Sequence, residues 1–298
     1  MSTVTAIKKS KLKAVDPKAA EPSKPKILIF GDPGVGKTWT SLEFPNCYFI
    51  DTEGGATRDH YTDRLKKSGG VYMGPEQGSL DFDVVIEQIQ ALATEKHSYK
   101  TVIIDSFTKL YNTCAAEAAE KGGDDFGRDK KEANKPTRKL INWLGRLDMN
   151  VILIAHQKAK WGQDAKGNRV ESGVTYDAYE KLAYELDLTM NIIKAGPNRL
   201  AKIQKSRLIG FPEGETLPWS YQEFAKRYGV EVIEKASNQL VLAKPEQVAE
   251  ITSLLEVVKL PPGETERWLK HAGVESWTEM DEDKIVKCIA ALKEKLPK

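Results

Sequence analysis

Residues 31–38 read GDPGVGKT and follow directly on the apolar run KILIF at 26–30. The pattern GxxxxGK[ST] is met by Gly31, Gly36, Lys37 and Thr38. Such a stretch works only as the turn between a buried strand and a helix start. The glycines let backbone N–H groups curl around a phosphate without Cβ clashes, and the lysine and hydroxyl follow from the first helical turn. Lys37 is the expected contact to the β- and γ-phosphates of a nucleoside triphosphate, and the Thr38 hydroxyl the expected ligand of Mg²⁺. The binding loop comprises Gly31, Asp32, Pro33, Gly34, Val35, Gly36, Lys37 and Thr38, with Trp39 beside it. A loop of this kind also needs an acid to hold a water on the Mg²⁺. TVIIDS at 101–106 offers Asp105 at a strand's carboxyl end, where open α/β sheets place their ligands.

Further apolar runs are CYFID (47–51), TVIID (101–105) and VILIA (151–155). Between them, Val85, Ile86, Ile89 and Leu92 recur at helical spacing, as do Leu140, Ile141, Leu144 and Leu147. Strands alternating with helices predict an α/β fold, a mostly parallel sheet with helices on both faces. LTMNII (188–193) and LAKIQ (200–204), joined by AGPN, predict an antiparallel hairpin at the sheet's far edge. The expected core runs over 26–217, with a connecting segment over 218–243. A small helical C-terminal module is expected over 244–298, with helices around Val248–Val258, Trp268 and Ile285–Leu292, the last with Asp281 as N-cap. Residues 1–25 hold six lysines and three prolines and read as a disordered basic tail.

Composition narrows the class. No apolar run approaches the ~20 residues that span a bilayer, and no secretory apolar stretch opens the chain. Three scattered cysteines and four scattered histidines suggest neither a disulfide framework nor a metal site, and fit a reducing cytoplasm. The net charge of +2 says little, since what matters is where charge sits. Hydrolysis needs a group that orients or deprotonates water, and CYFIDTEGG ends a strand with two candidates, Asp51 and Glu53, between which spacing does not choose.

GDPGVGKT, FIDTEGG, TVIIDS, VILIAHQ and KIQKSR occur in that order. With this set the chain resembles RecA-type ATPases, and more narrowly the phage-encoded Sak-type annealing proteins built on a RecA-like core, over roughly 26–215. The resemblance implies ATP as the nucleotide, and no guanine-reading NKxD motif opposes it. It assigns water activation to Glu53 and sensing of the γ-phosphate to Gln157, with His156 adjacent. It also gives Lys205 and Arg207 of KIQKSR the role of basic residues inserted into a neighbouring subunit's active site, which implies a ring or filament. Two basic segments are the implied DNA-contacting loops. Residues 121–139, with Lys130 and Lys131, carry seven Lys or Arg against four acids. Residues 158–169, with Lys158, Lys160, Trp161, Lys166 and Arg169, carry four against one.

The implied partners are single-stranded DNA, further copies of the chain, and a single-stranded DNA-binding protein or another recombination protein; no membrane is implied. The segment 158–174 does not match the second DNA loop of bacterial RecA, and its long C-terminal extension is not found. Single-strand binding and annealing are therefore expected over full strand exchange. Three other functions compete: a ring-shaped DNA motor related to replicative helicases, a P-loop small-molecule kinase, and a non-hydrolysing nucleotide switch. No kinase lid is recognisable, and the set Lys37, Asp105 and Glu53 opposes the switch.

Overall fold

The computed structural model describes residues 23–57, 59–122 and 128–296, so most of the expected basic tail falls outside the described residues. The strands are β1 (Lys26–Gly31), β2 (Cys47–Asp51), β3 (Val71–Met73), β4 (Thr101–Asp105), β5 (Asn150–Gln163), β6 (Arg169–Asp177), β7 (Leu188–Ala195), β8 (Asn198–Ser206) and β9 (Thr216–Pro218). The helices are α1 (Lys37–Ser41), α2 (Asp59–Ser68), α3 (Phe82–Thr94), α4 (Phe107–Gly122), α5 (Arg128–Arg146), α6 (Leu182–Glu185), α7 (Tyr221–Tyr228), α8 (Val230–Ile233), α9 (Pro245–Val257), α10 (Glu264–Ala272) and α11 (Glu282–Lys293).

One sheet holds all nine strands, in the order β3-β2-β4-β5-β1-β7-β8-β9, with β6 paired to β5. From β3 to β7 the pairings are parallel; β6, β8 and β9 join antiparallel. This is the expected RecA-like arrangement of a mostly parallel sheet between helices. Burial of both sheet faces explains the unbroken apolar runs. Along β1, Leu28 and Phe30 face α3, α4 and α5, while Ile27 and Ile29 face the side carrying α1. α3 begins where Asp81 caps it, its carboxylate accepting from the backbone N–H of Val84 at 3.0 Å.

Several expectations need correction. The β7–β8 hairpin is not the sheet's edge, because β9 pairs outside β8. The run VILIA is only the buried start of a 14-residue strand. Residues 158–169, expected as a loop, form the outer part of β5, the turn after it and the first residue of β6, and the two strands pair as an antiparallel ribbon. Its turn is tied by Asp164, whose carboxylate accepts from the backbone N–H groups of Lys166 and Asn168. Of residues 121–139, also expected as a loop, 128–139 lie within α5. Asp281 stands at the N-cap position of α11, as expected, but its carboxylate makes no cap hydrogen bond and pairs instead with Arg146 at 2.6 Å and Lys284 at 2.5 Å.

Residues 219–233 carry α7 and α8, and Trp219, Phe224 and Ile233 belong to the apolar core on the α1 side. A separate apolar cluster, including Ile251, Val274, Met280, Ile285 and Leu292, is built from α9, α10 and α11. Among the described residues, no helix is long and apolar enough to cross a membrane.

Phe44 ties the phosphate-loop segment to the later chain. It is fully buried, with ring centroids 5.1 Å from Tyr221 and 5.4 Å from Phe224. Truncating a buried phenylalanine removes transfer energy and leaves a cavity. Phe44→Ala is expected to lower unfolding free energy by about 3–5 kcal/mol in urea or guanidinium titrations. A loss below about 1 kcal/mol would show that this junction does not hold the α1 side together.

Candidate nucleotide-binding site

The parallel strands all point their carboxyl ends at one edge, and the functional side chains gather there. In register, Asp51 lies beside Asp105, Asp105 beside Ile154, and Gly31 beside His156. Gly31 ends β1 against β7: a Cβ there would sit 2.3 Å from the Ile192 carbonyl oxygen. Gly34 and Gly36 have φ of 75° and 90°, the left-handed region that side chains disfavour. Lys37 opens α1, and its ammonium donates to the carbonyls of Gly31 and Asp32, both at 2.9 Å. Burial holds the Lys37 pKa below the usual lysine value, opposed in part by Asp105, Glu53 and Asp32.

Thr38 donates from its hydroxyl to Asp105 at 2.5 Å. Asp105 is buried at the end of β4, and desolvation raises its pKa to about 6, although the Thr38 hydrogen bond pulls the other way. The peptide bond between Asp105 and Ser106 is cis.

The two carboxylates after β2 have different surroundings. Asp51 is 2% exposed and accepts from the backbone N–H groups of Glu53 and Gly54, each at 3.0 Å, and of Ala56 at 2.5 Å. Its oxygens are committed to holding the turn. Glu53 is exposed, and its Oε1 lies 2.7 Å from His156 Nε2. Burial raises the Glu53 pKa, but hydrogen bonds from Ser106 and His156 and the charges of His156 and Lys109 outweigh it, leaving Glu53 below the ordinary carboxylate value. A cavity of about 190 Å³ opens between Thr38, Asp51, Glu53, Tyr61 and Asp105.

Gln157 donates to Asp32 of the loop at 3.0 Å and accepts from Asn191 at 2.8 Å. Asn191 on β7 was not singled out from the sequence. A buried amide near the end of an apolar strand was the available signal, since such a group needs partners. The His156–Glu53 contact had no sequence signal, because the two residues are 103 positions apart.

Other predicted residues lie elsewhere. Trp39 stacks under Arg64, whose guanidinium carbon is 3.5 Å from its ring centroid, in a separate groove of about 470 Å³. That groove is the larger, but its lining includes neither Lys37 nor Asp105. Lys205 and Arg207 lie at the opposite end of the sheet from the phosphate loop, because β8 runs antiparallel to β7. There Lys205 donates to the Leu186 carbonyl and Arg207 to the Tyr184 carbonyl.

On the ribbon, strand alternation splits the basic set. Lys158 and Lys160 share one face with His156, while Trp161 and Arg169 stack on the other, the guanidinium 4.6 Å from the indole centroid. Lys158 pairs with Asp177 at 3.0 Å, and Lys166 sits exposed in the turn. Lys131 is exposed on α5, and the side chain of Lys130 lies outside the described residues.

Among solved structures, the chain resembles the RadB recombinase at 18% identity, over 66% of this chain and 87% of that one, with a TM-score of 0.39. It also resembles a prototypical ATPase from the type III secretion system of pathogenic bacteria at 12% identity, over 90% of this chain and 79% of that one, with a TM-score of 0.40. Neither likeness bears on activity at these values. No curated protein matches. Residues 23–210, which hold the phosphate loop and every strand-end residue described above, match the model of the family described as AAA domain, and the chain belongs to that family.

Proposed function

We propose that this protein binds MgATP at Gly31–Thr38 and hydrolyses it at the interface between subunits of a ring or filament on single-stranded DNA. The observation that carries the ATPase reading is the meeting of Lys37, the Thr38–Asp105 pair and the exposed Glu53 at one sheet edge. Lys37 exchanges its loop carbonyls for phosphate oxygens. Thr38 and Asp105 are hard oxygen donors suited to Mg²⁺ and its water, and a divalent cation would restore full ionisation to an Asp105 that burial now opposes. Among the described residues, no cluster of three or more His, Cys, Asp or Glu could hold a metal. The ion would therefore complete its shell with phosphate and water. When bound it neutralises charge on the transferring phosphoryl group.

Glu53, rather than Asp51, takes the proton of the attacking water, because Asp51 has spent its acceptors on the turn. Gln157, bonded to Asp32 of the loop, reports the phosphate state to the ribbon that continues from it. The ribbon, with Lys158, Lys160, Trp161, Lys166 and Arg169, is the DNA-contacting element, joined by Lys131 on α5. The narrower assignment to single-strand annealing of the phage Sak type rests on the ordered motifs of the sequence. Partnership with a single-stranded DNA-binding protein belongs to that same assignment.

Lys37→Ala is expected to lose tight nucleotide binding. Glu53→Gln should bind ATP yet hydrolyse it about 10²–10⁴-fold more slowly, as expected for loss of a general base. Asp51→Asn should chiefly lower thermal stability. Steady-state ATPase rates beside melting curves decide this, and a larger turnover loss in a stable Asp51→Asn would move the base to Asp51.

Lys205 and Arg207 cannot reach their own phosphate loop from the opposite sheet end, which supports action on a neighbour. Arg207→Ala should bind ATP but hydrolyse it about 10³–10⁵-fold more slowly, the range for an arginine finger. Mixing it with Lys37→Ala should restore partial activity, since some interfaces would pair an intact loop with an intact finger. Rates that fall on a straight line between the two inactive proteins, with subunit exchange verified, would remove the finger assignment.

DNA affinity should fall steeply with salt. Charge reversal at Lys160 and Lys166 should flatten the slope of log affinity against log salt by about 0.7 for each phosphate no longer neutralised. Trp161→Ala should weaken binding with little change of slope, since stacking carries no counterion. An unchanged slope in the charge-reversal variant would take the ribbon out of the DNA path.

A further inference from the structure

The β7–β8 hairpin touches the phosphate loop at both ends. At one end the Ile192 carbonyl crowds Gly31. At the other, Arg199 lies directly on Gly36: a Cβ built there would sit 2.0 Å from Arg199 Nε, 2.4 Å from its Cδ and 3.1 Å from its Cζ. The position of Arg199 follows from the register. Met190 pairs with Ile203, Ile192 with Ala201, and Lys194 with Arg199, so these pairs form one row on the face that carries α1. The first two pairs are buried core. The third is the next step outward, at the sheet edge where the loop begins, and it consists of two cations.

Arg199 Nε–H is buried and donates to nothing among the described residues. A guanidinium offers five N–H donors in a planar fork matched to phosphate oxygens. Leaving one buried and unpaired is costly unless an acceptor arrives. The acceptor this place suits is an anion held by the loop whose last glycine Arg199 covers.

We infer that Arg199 is a nucleotide-binding residue supplied by the same subunit, contacting the phosphate chain of bound ADP or ATP beside Gly36. Lys194, exposed and across the ladder, adds positive potential at the same place. This cation is distinct from Lys205, which the same strand carries to the far end of the sheet, roughly 20 Å away at about 3.3 Å per residue, and from Arg207 just beyond that strand end. β8 thus presents a cation to its own loop at one end and Lys205 at the other, with Arg207 directly after it. The inference rests on the reading of Gly31–Thr38 as a nucleotide site and adds a ligand that the loop motif does not contain.

The test is equilibrium binding of fluorescent ADP and of a fluorescent non-hydrolysable ATP analogue, with Mg²⁺, to the full chain. Arg199→Ala and Arg199→Gln should each lose about tenfold or more in affinity for both nucleotides, the scale of one charge-assisted hydrogen bond. Arg199→Lys should recover part of the loss, and the melting temperature without nucleotide should stay close to wild type in the Gln and Lys variants. If Arg199→Ala fails to fold, the Gln and Lys variants carry the test. Wild-type or tighter affinity in Arg199→Gln would overturn the inference; tighter binding would make Arg199 a plug over the loop. Lys37→Ala separates the two failures. Normal binding in Lys37→Ala sinks the nucleotide site itself, whereas loss there with none in the Arg199 variants sinks only Arg199.

Discussion

Parallel strands buried on both faces leave polar side chains one place to stand, the strand ends. Here β4, β5 and β1 run side by side with apolar residues on both faces. Asp105, His156, Gln157 and Gly31 occur where those runs stop, all at the carboxyl edge. The site follows from that constraint. Once the ladder is in register, Thr38 at the start of α1 falls opposite Asp105, and Gln157 falls beside Asp32. No long loop has to be ordered to bring them together, which keeps the conformational cost of the site small.

Two carboxylates two residues apart show how environment divides roles. Asp51 is still within the strand, buried, with three backbone N–H groups spent on it. Those donors fix its oxygens in place. Glu53 has passed the turn, is exposed, and is held by side chains rather than by the turn's backbone, by Ser106 and by a histidine that can leave. Spacing does not separate the two because both sit in one short polar stretch. The separation comes from the turn geometry, with Gly54 at φ 75° directing the chain back over Asp51.

The same physics explains what the sequence could disclose. The strand runs and the phosphate loop were legible because burial on two faces and positive φ at glycine leave direct compositional marks. Only the second half of α5 was legible. Its buried face continues through Thr137 and Ala133, but a threonine and an alanine carry no apolar signal. The ribbon was hidden because neither face of its outer part is buried, so nothing selects apolar alternation in a stretch such as KAKWGQ. His156, Asn191 and Arg199 gain their meaning from partners 103, 34 and 163 positions away, which only the sheet order supplies. The offset of 163 is that between Gly36 and Arg199.

β5 carries the remaining consequence. It is one continuous strand from the buried Val151–Ala155, through His156 and Gln157 at the nucleotide edge, into the ribbon at Lys158–Gln163. His156 touches Glu53, Gln157 touches the loop, and Lys158 touches Asp177, which also accepts from Asn112 of α4. Under the proposed function, two exchanges meet on two consecutive residues, His156 and Gln157. A nucleotide that draws Gln157 from Asp32, and a water that competes with His156 for Glu53, both act on the root of the ribbon. A ligand shifts an equilibrium only by its differential affinity for the two states. Under the proposed function, a polymer whose binding along the ribbon depends on that exchange would, by the reciprocity of linkage, favour one of the two pairings of Glu53. Under the proposed function, the contact between Glu53 and His156 is where occupancy of the ribbon and readiness of the base would be coupled.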